Sequence, residues 1–174
     1  MNTEYSDTII IGGGLIGLAQ ALALAAHGIS SHVIDRADPQ AMLASDFDGR
    51  TSAISSASMA MLEALGLKAA LAGKGCPISQ IWVSDGLKPG EIDFVPGQDD
   101  GYLGVMFENR VLRRTLYEAA LAHPEITLHM PVDIATVERS EAGVCLSLAD
   151  GVTLSASLLI VAEGRKSATR DAAG

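Results

Sequence analysis

The run Asp7-Thr-Ile-Ile-Ile11 leads directly into the spaced glycines Gly12-x-Gly14-x-x-Gly17, and no other feature restricts the fold of this chain so closely. Four consecutive β-branched residues stopped by glycine predict a short strand buried on both faces. Residues 15–27 are rich in Ala and Leu and predict a helix, with Gly28 just past its end. Ser31-His-Val-Ile-Asp35 predicts a second strand, and the three segments make a right-handed βαβ unit. A lone glycine triplet would mean little. Here a strand precedes it, a helix opens on it, and Asp35 follows roughly twenty residues on, which is the dinucleotide-binding arrangement.

Each position has a physical task in that arrangement. Gly12 makes the tight turn, Gly14 lets the backbone approach a pyrophosphate, and Gly17 lets the helix pack closely on the strand. The helix N-terminus then turns its N–H groups and positive dipole end toward the phosphates. Asp35 is placed to accept hydrogen bonds from the adenosine ribose, and its charge disfavours a 2′-phosphate, although Arg36 stands beside it. These residues alone leave FAD, NAD and a glycine turn that merely packs a helix on a sheet as open readings.

Composition removes several other classes. The 174 residues are 48% hydrophobic and 19% charged, which suits a globular domain with a real core. A formal net charge of -9 without a Lys/Arg-rich stripe argues against nucleic acid as a partner. The acidic start, Met1-Asn-Thr-Glu-Tyr-Ser-Asp7, does not resemble a secretory signal, and a cytoplasmic location is expected. The apolar stretch 15–26 is too short to span a bilayer. Cys76 and Cys145 stand apart without other ligands at metal spacing, so reduced thiols and no metal site are expected. The four histidines are scattered, and none is assigned a catalytic role.

Beyond the βαβ unit, residues 38–51 read as a polar loop and residues 52–65 as a helix closed by Gly66. Strands are expected over 78–84, 92–95 and 103–107, with turns at Asp85-Gly86 and Pro89-Gly90, and a helix over 110–122. Five short apolar segments, 126–130, 134–139, 144–148, 152–154 and 158–162, read as a meander with a hairpin turn at Asp150-Gly151. The last of them, Leu158-Leu-Ile-Val-Ala162, is continuously apolar and is expected to return beside the first strand in a buried parallel sheet.

Three further segments carry a resemblance. Asp48-Gly-Arg-Thr-Ser-Ala-Ile54, Tyr102-Leu-Gly-Val-Met-Phe-Glu-Asn-Arg110 with Leu112, and Val161-Ala-Glu-Gly-Arg-Lys-Ser167 with Arg170 resemble segments of the flavin-dependent aromatic hydroxylases, in the same order and spacing. Within that superfamily the chain is most similar to the ubiquinone-biosynthesis hydroxylases, over nearly its whole length. Read from the residues, Arg50 is a loop guanidinium that could reach a pyrophosphate or a ribityl chain, and Asn109 could be a helix N-cap. The resemblance implies that Arg50 and Arg110 face the flavin's diphosphate and ribityl side. It also implies that Glu163 and Gly164 occupy the family's Asp-Gly motif, with a glutamate where that motif has aspartate. The extra methylene displaces the carboxylate by more than about 1 Å, the scale at which a site loses function.

The fold implied is α/β: a Rossmann-like FAD-binding βαβ with a parallel central sheet, a β-meander and the beginning of an α+β substrate domain. Residues 1–174 are expected to be the N-terminal part of a longer hydroxylase, with the start of the substrate-domain sheet inserted at about 76–107. The later Gly-Asp flavin motif of the family does not occur in the chain, and a fragment inactive alone is expected. The parent activity implied is hydroxylation of a polyprenylated phenol or quinone precursor with FAD, O₂ and NAD(P)H. Such a parent would work in the cytoplasm or at the periphery of the inner membrane, with room for a ubiquinone-biosynthesis complex. An NAD-dependent Rossmann oxidoreductase and a non-catalytic dinucleotide-binding or assembly module are the competing readings.

Overall fold

The computed structural model describes residues 3–43, 49–86, 92–97 and 101–172. In chain order the elements are β1 (Thr3–Ile11), α1 (Leu15–Ala25), β2 (Ser31–Ile34), α2 (Pro39–Met42), β3 (Thr51–Ser55) and α3 (Ser56–Ala64). They continue with α4 (Lys68–Leu71), β4 (Cys76–Ile78), β5 (Ile81–Val83), β6 (Ile92–Phe94), β7 (Gly104–Glu108) and α5 (Asn109–Ala122). The chain then forms β8 (Ile126–His129), β9 (Ile134–Ser140), β10 (Gly143–Leu148), β11 (Thr153–Val161) and α6 (Ala168–Asp171). Two compact units result: residues 1–44 with 116–174, and residues 45–115. Among the described residues, no helix is long and apolar enough to cross a membrane.

The first unit is built on a six-stranded sheet in the order β8-β2-β1-β11-β10-β9. Pairing is parallel from β8 through β11 and antiparallel from β11 to β9. The predicted βαβ unit is present, and its centre is fully buried at Ile9, Ile10 and Leu18. Helix α1 ends where expected: Gly28 has φ +72°, its N–H donates to Ala25 O, and that of Ile29 donates to Leu24 O. The core continues onto the antiparallel part through Leu146, Leu148 and Leu154.

The meander differs from its sequence reading in two ways. The segment at 126–129 joins β2 as the parallel edge strand of the sheet, so only β9, β10 and β11 form the meander. The segments at 152–154 and 158–162 are one nine-residue strand, because β1 offers a partner from Thr3 to Ile11 along its length. That same partner lengthens β1 beyond the apolar run, through polar residues that carry no strand signal of their own. The Asp150-Gly151 turn joins β10 to β11 as predicted, with Gly151 at φ +93°. The apolar end of β11 lies beside β1 as expected, yet Leu158 and Val161 are exposed; helix α1 packs on β1, β2 and β8 instead.

In the second unit, β3, β7 and β4 form one antiparallel sheet and β5 pairs with β6. The helix read at 52–65 begins only at Ser56. Residues 51–55 instead pair with β7, from Thr51 opposite Glu108 to Ser55 opposite Gly104, and the Ser55 hydroxyl caps α3 through Ser58 N. The strand read at 78–84 is divided between β4 and β5, which belong to different sheets. The short helices α2 and α4 lacked enough turns to show a periodicity. Asp48 and the Pro89-Gly90 turn lie outside the described residues.

Candidate dinucleotide site

The glycine loop is shaped by contacts of its own backbone. Gly12 has φ +112°, and a Cβ there would stand 2.4 Å from the Ala162 carbonyl oxygen. A Cβ on Gly17 would stand 1.8 Å from the Gly12 carbonyl oxygen, which is the close helix-on-strand approach expected of that position. Gly14 is the N-cap residue of α1 and differs from both: nothing lies within 4 Å of a Cβ built on it. Helix α1 also has no side-chain cap and no acidic residue in its first turn. Its first N–H groups therefore carry no side-chain cap, and a pyrophosphate oxygen fits the donors they present.

Asp35 is pinned at the end of β2. Its Oδ2 accepts from Gly13 N at 2.7 Å and its Oδ1 from Ala37 N at 2.8 Å. Each carboxylate oxygen keeps a second lone pair, enough for two ribose hydroxyl donors. Gly13, an unspecified position in the motif, thus takes part in the site; a Cβ on it would meet Met130 Cε at 2.8 Å. Arg36 is exposed beside it.

A cavity of about 630 Å³ opens at the carboxyl ends of β1 and β2, where the strand order departs to β2 on one side and β11 on the other, and of the glycine loop only Gly12 lines it. Gly12, Asp35, Arg36 and Glu163 line it, together with Arg139 and Lys166. Residues 132–137 form another wall, and Val132 N donates to Asp35 O at 3.0 Å. This wall lies more than a hundred residues from the glycine loop, and no spacing rule links the two.

Glu163 has a definite local role. Its Oε2 accepts from Ser167 Oγ at 2.7 Å and Thr169 N at 3.1 Å, and Ser167 in turn caps α6 through Arg170 N. Burial pushes the Glu163 carboxyl up, but those hydrogen bonds and the charge of Arg36 outweigh it and hold the group below its ordinary value. Gly164 follows at φ +81° with open space around it.

Arg50 and Arg110 belong to the second unit. Asn109 N donates to Arg50 O at 3.0 Å, which brings both arginines to the same end of the β3–β7 ladder. Arg110 pairs with Glu108, and Asn109, the first residue of α5, accepts from Ser52 Oγ at 2.6 Å.

An FAD binding domain model matches residues 5–174. The chain belongs to that FAD-binding family. Two curated relatives agree with the placement of this FAD-binding domain. The "Ubiquinone hydroxylase UbiL" of Rhodospirillum rubrum is 40% identical over 98% of the chain and 40% of its own length. The "3-demethoxyubiquinol 3-hydroxylase" of Escherichia coli is 35% identical over 100% of the chain and 45% of its own length. The chain therefore spans less than half the length of these relatives. Among solved structures, the p-nitrophenol 4-monooxygenase PnpA of Pseudomonas putida superposes with a TM-score of 0.77 at 18% identity, over 99% of the chain and 44% of that protein, and shows the same fold.

Proposed function

We propose that this FAD-binding domain serves an aromatic-ring hydroxylase that uses O₂ and NAD(P)H to hydroxylate a polyprenylated phenol or quinone precursor in ubiquinone biosynthesis. The observation that carries the reading is the 40% identity to a ubiquinone hydroxylase across 98% of the chain. Bound FAD supplies the redox chemistry and the activation of O₂. The protein's part is to hold it: the N-terminal N–H groups of α1 and the Gly12–Gly17 turn take the pyrophosphate, and Asp35 takes the ribose hydroxyls. Arg36 borders the adenosine end, and Glu163, with Gly164 beside it in the turn, contributes to the cavity wall. Arg50 and Arg110 answer the diphosphate and ribityl side, a role that rests on the resemblance. Residues 76–107 begin the substrate-domain sheet. The parent protein works in the cytoplasm or at the inner-membrane periphery, within a ubiquinone-biosynthesis complex.

Because the relatives are more than twice as long, hydroxylation is assigned to a protein of their length, and the 174-residue chain is expected to bind FAD without hydroxylating. Titrating the chain with FAD, following flavin fluorescence, should give saturable quenching that ADP reverses. A chain that ignores FAD but binds NADH would overturn the reading in favour of a nicotinamide-dependent oxidoreductase.

A further inference from the structure

His32 and His129 meet on neighbouring strands. In the β2–β8 ladder His32 is opposite Thr127 and His129 opposite Ile34, so the two rings are diagonal neighbours. His129 Nε2 lies 3.0 Å from His32 Nδ1. His32 is only 5% exposed, and its other nitrogen, Nε2, has no hydrogen-bond partner. His32 Nδ1 and His129 Nε2 face each other, and at least one of these two nitrogens must present a lone pair.

Glu4, near the start of β1, supplies a third ligand. One of its carboxylate oxygens and one ring nitrogen of each histidine lie within 4.8 Å of one another. Donors bound to a single zinc ion at about 2.0–2.2 Å stand roughly 3–3.5 Å apart. The two histidine nitrogens already meet that spacing, and the Glu4 side chain is exposed and can close the remainder by rotation. The surrounding charge also suits a cation: Glu4 acts on both rings and Asp150 on His129.

We propose that Glu4, His32 and His129 form a site for one borderline divalent transition-metal ion, with zinc the natural fit, that ties the start of β1 to β2 and the edge strand β8. Two nitrogens and one carboxylate oxygen are a common zinc donor set, with water completing the tetrahedron. The three ligands are separated by 28 and 97 residues along the chain, so no spacing motif announces them.

The test is calorimetric titration of the metal-free 174-residue chain with Zn²⁺ in a Cys76→Ser background, which removes the exposed thiol as a competing ligand. One equivalent should bind, raise the melting temperature, and lose affinity by about tenfold or more in Glu4→Gln and His129→Gln. Substituted Co²⁺ should show the visible d–d absorption of a four- or five-coordinate ion. Glu4→Gln is the deciding variant because its side chain is exposed and its loss leaves the core intact. Absence of stoichiometric binding, or binding and stabilisation unchanged by Glu4→Gln, would overturn the site. FAD titration of the same samples reads the dinucleotide site independently.

Discussion

A methyl group has opposite consequences at two glycines of the same loop. At Gly17 it would be driven into the Gly12 carbonyl, whereas at Gly14 it would enter open space from ordinary backbone angles. Gly17→Ala should therefore destabilise the chain by about 3 kcal/mol, the upper part of the usual overpacking range. Gly14→Ala should leave stability within about 0.5 kcal/mol while weakening FAD binding tenfold or more, since the methyl occupies the approach path of the pyrophosphate. Urea denaturation and FAD titration of both variants measure the two effects separately. The sequence motif identifies all three glycines but treats Gly13 as arbitrary. Its N–H to Asp35 became visible only when β1 and β2 were placed side by side.

At the scale of elements, the turn from β11 into α6 depends on one carboxylate. Glu163 joins Ser167 and Thr169, and its folded-state pKa lies below the ordinary 4.5. A depressed carboxylate pKa means the unfolded chain binds the proton more readily. The stabilisation is therefore complete above pH 4.5 and is lost as pH falls through the lower folded value. Arg36 is the charged group that faces Glu163 in this balance. Glu163→Gln should lower stability at pH 7, where the contribution is complete, and change little in strong acid, so that the loss of stability below pH 4.5 flattens, as read from urea midpoints from neutral pH through the acid range. The Glu163 side chain reaches the α6 cap through Ser167. The β3–α3 boundary illustrates the reverse situation. Ile54 fits a helical stripe with Met59 and Leu62, yet it lies in a strand because β7 satisfies its backbone.

At the scale of the molecule, the β5–β6 pair leaves apolar surface in water, with Trp82 at 73% exposed and Ile92, Phe94 and Val95 exposed near it. Trp82 is the only tryptophan, so the chain's indole emission reports this pair alone. Its fluorescence should have the red maximum of a solvated indole and be readily quenched by acrylamide. A blue, protected emission would show that this face is covered in solution. Trp82→Ser should lower aggregation without lowering the melting temperature, because an exposed aromatic contributes little to the folded state.

Local patterning was sufficient for the βαβ unit, for the Gly28 and Gly151 stops and for Asp35, because in each case the cause lies within a few residues: a buried β-branched run, an Ala/Leu-rich helix, a position that needs positive φ. The length of β1, the strand at 51–55, the edge position of β8, the wall at 132–137 and the meeting of His32 with His129 were decided only by the tertiary structure. Their cause is a partner distant in sequence. A strand exists where another backbone offers it hydrogen bonds, and a pair of histidines becomes a site only when two strands lie 4.7–4.9 Å apart or so, the usual spacing in a sheet.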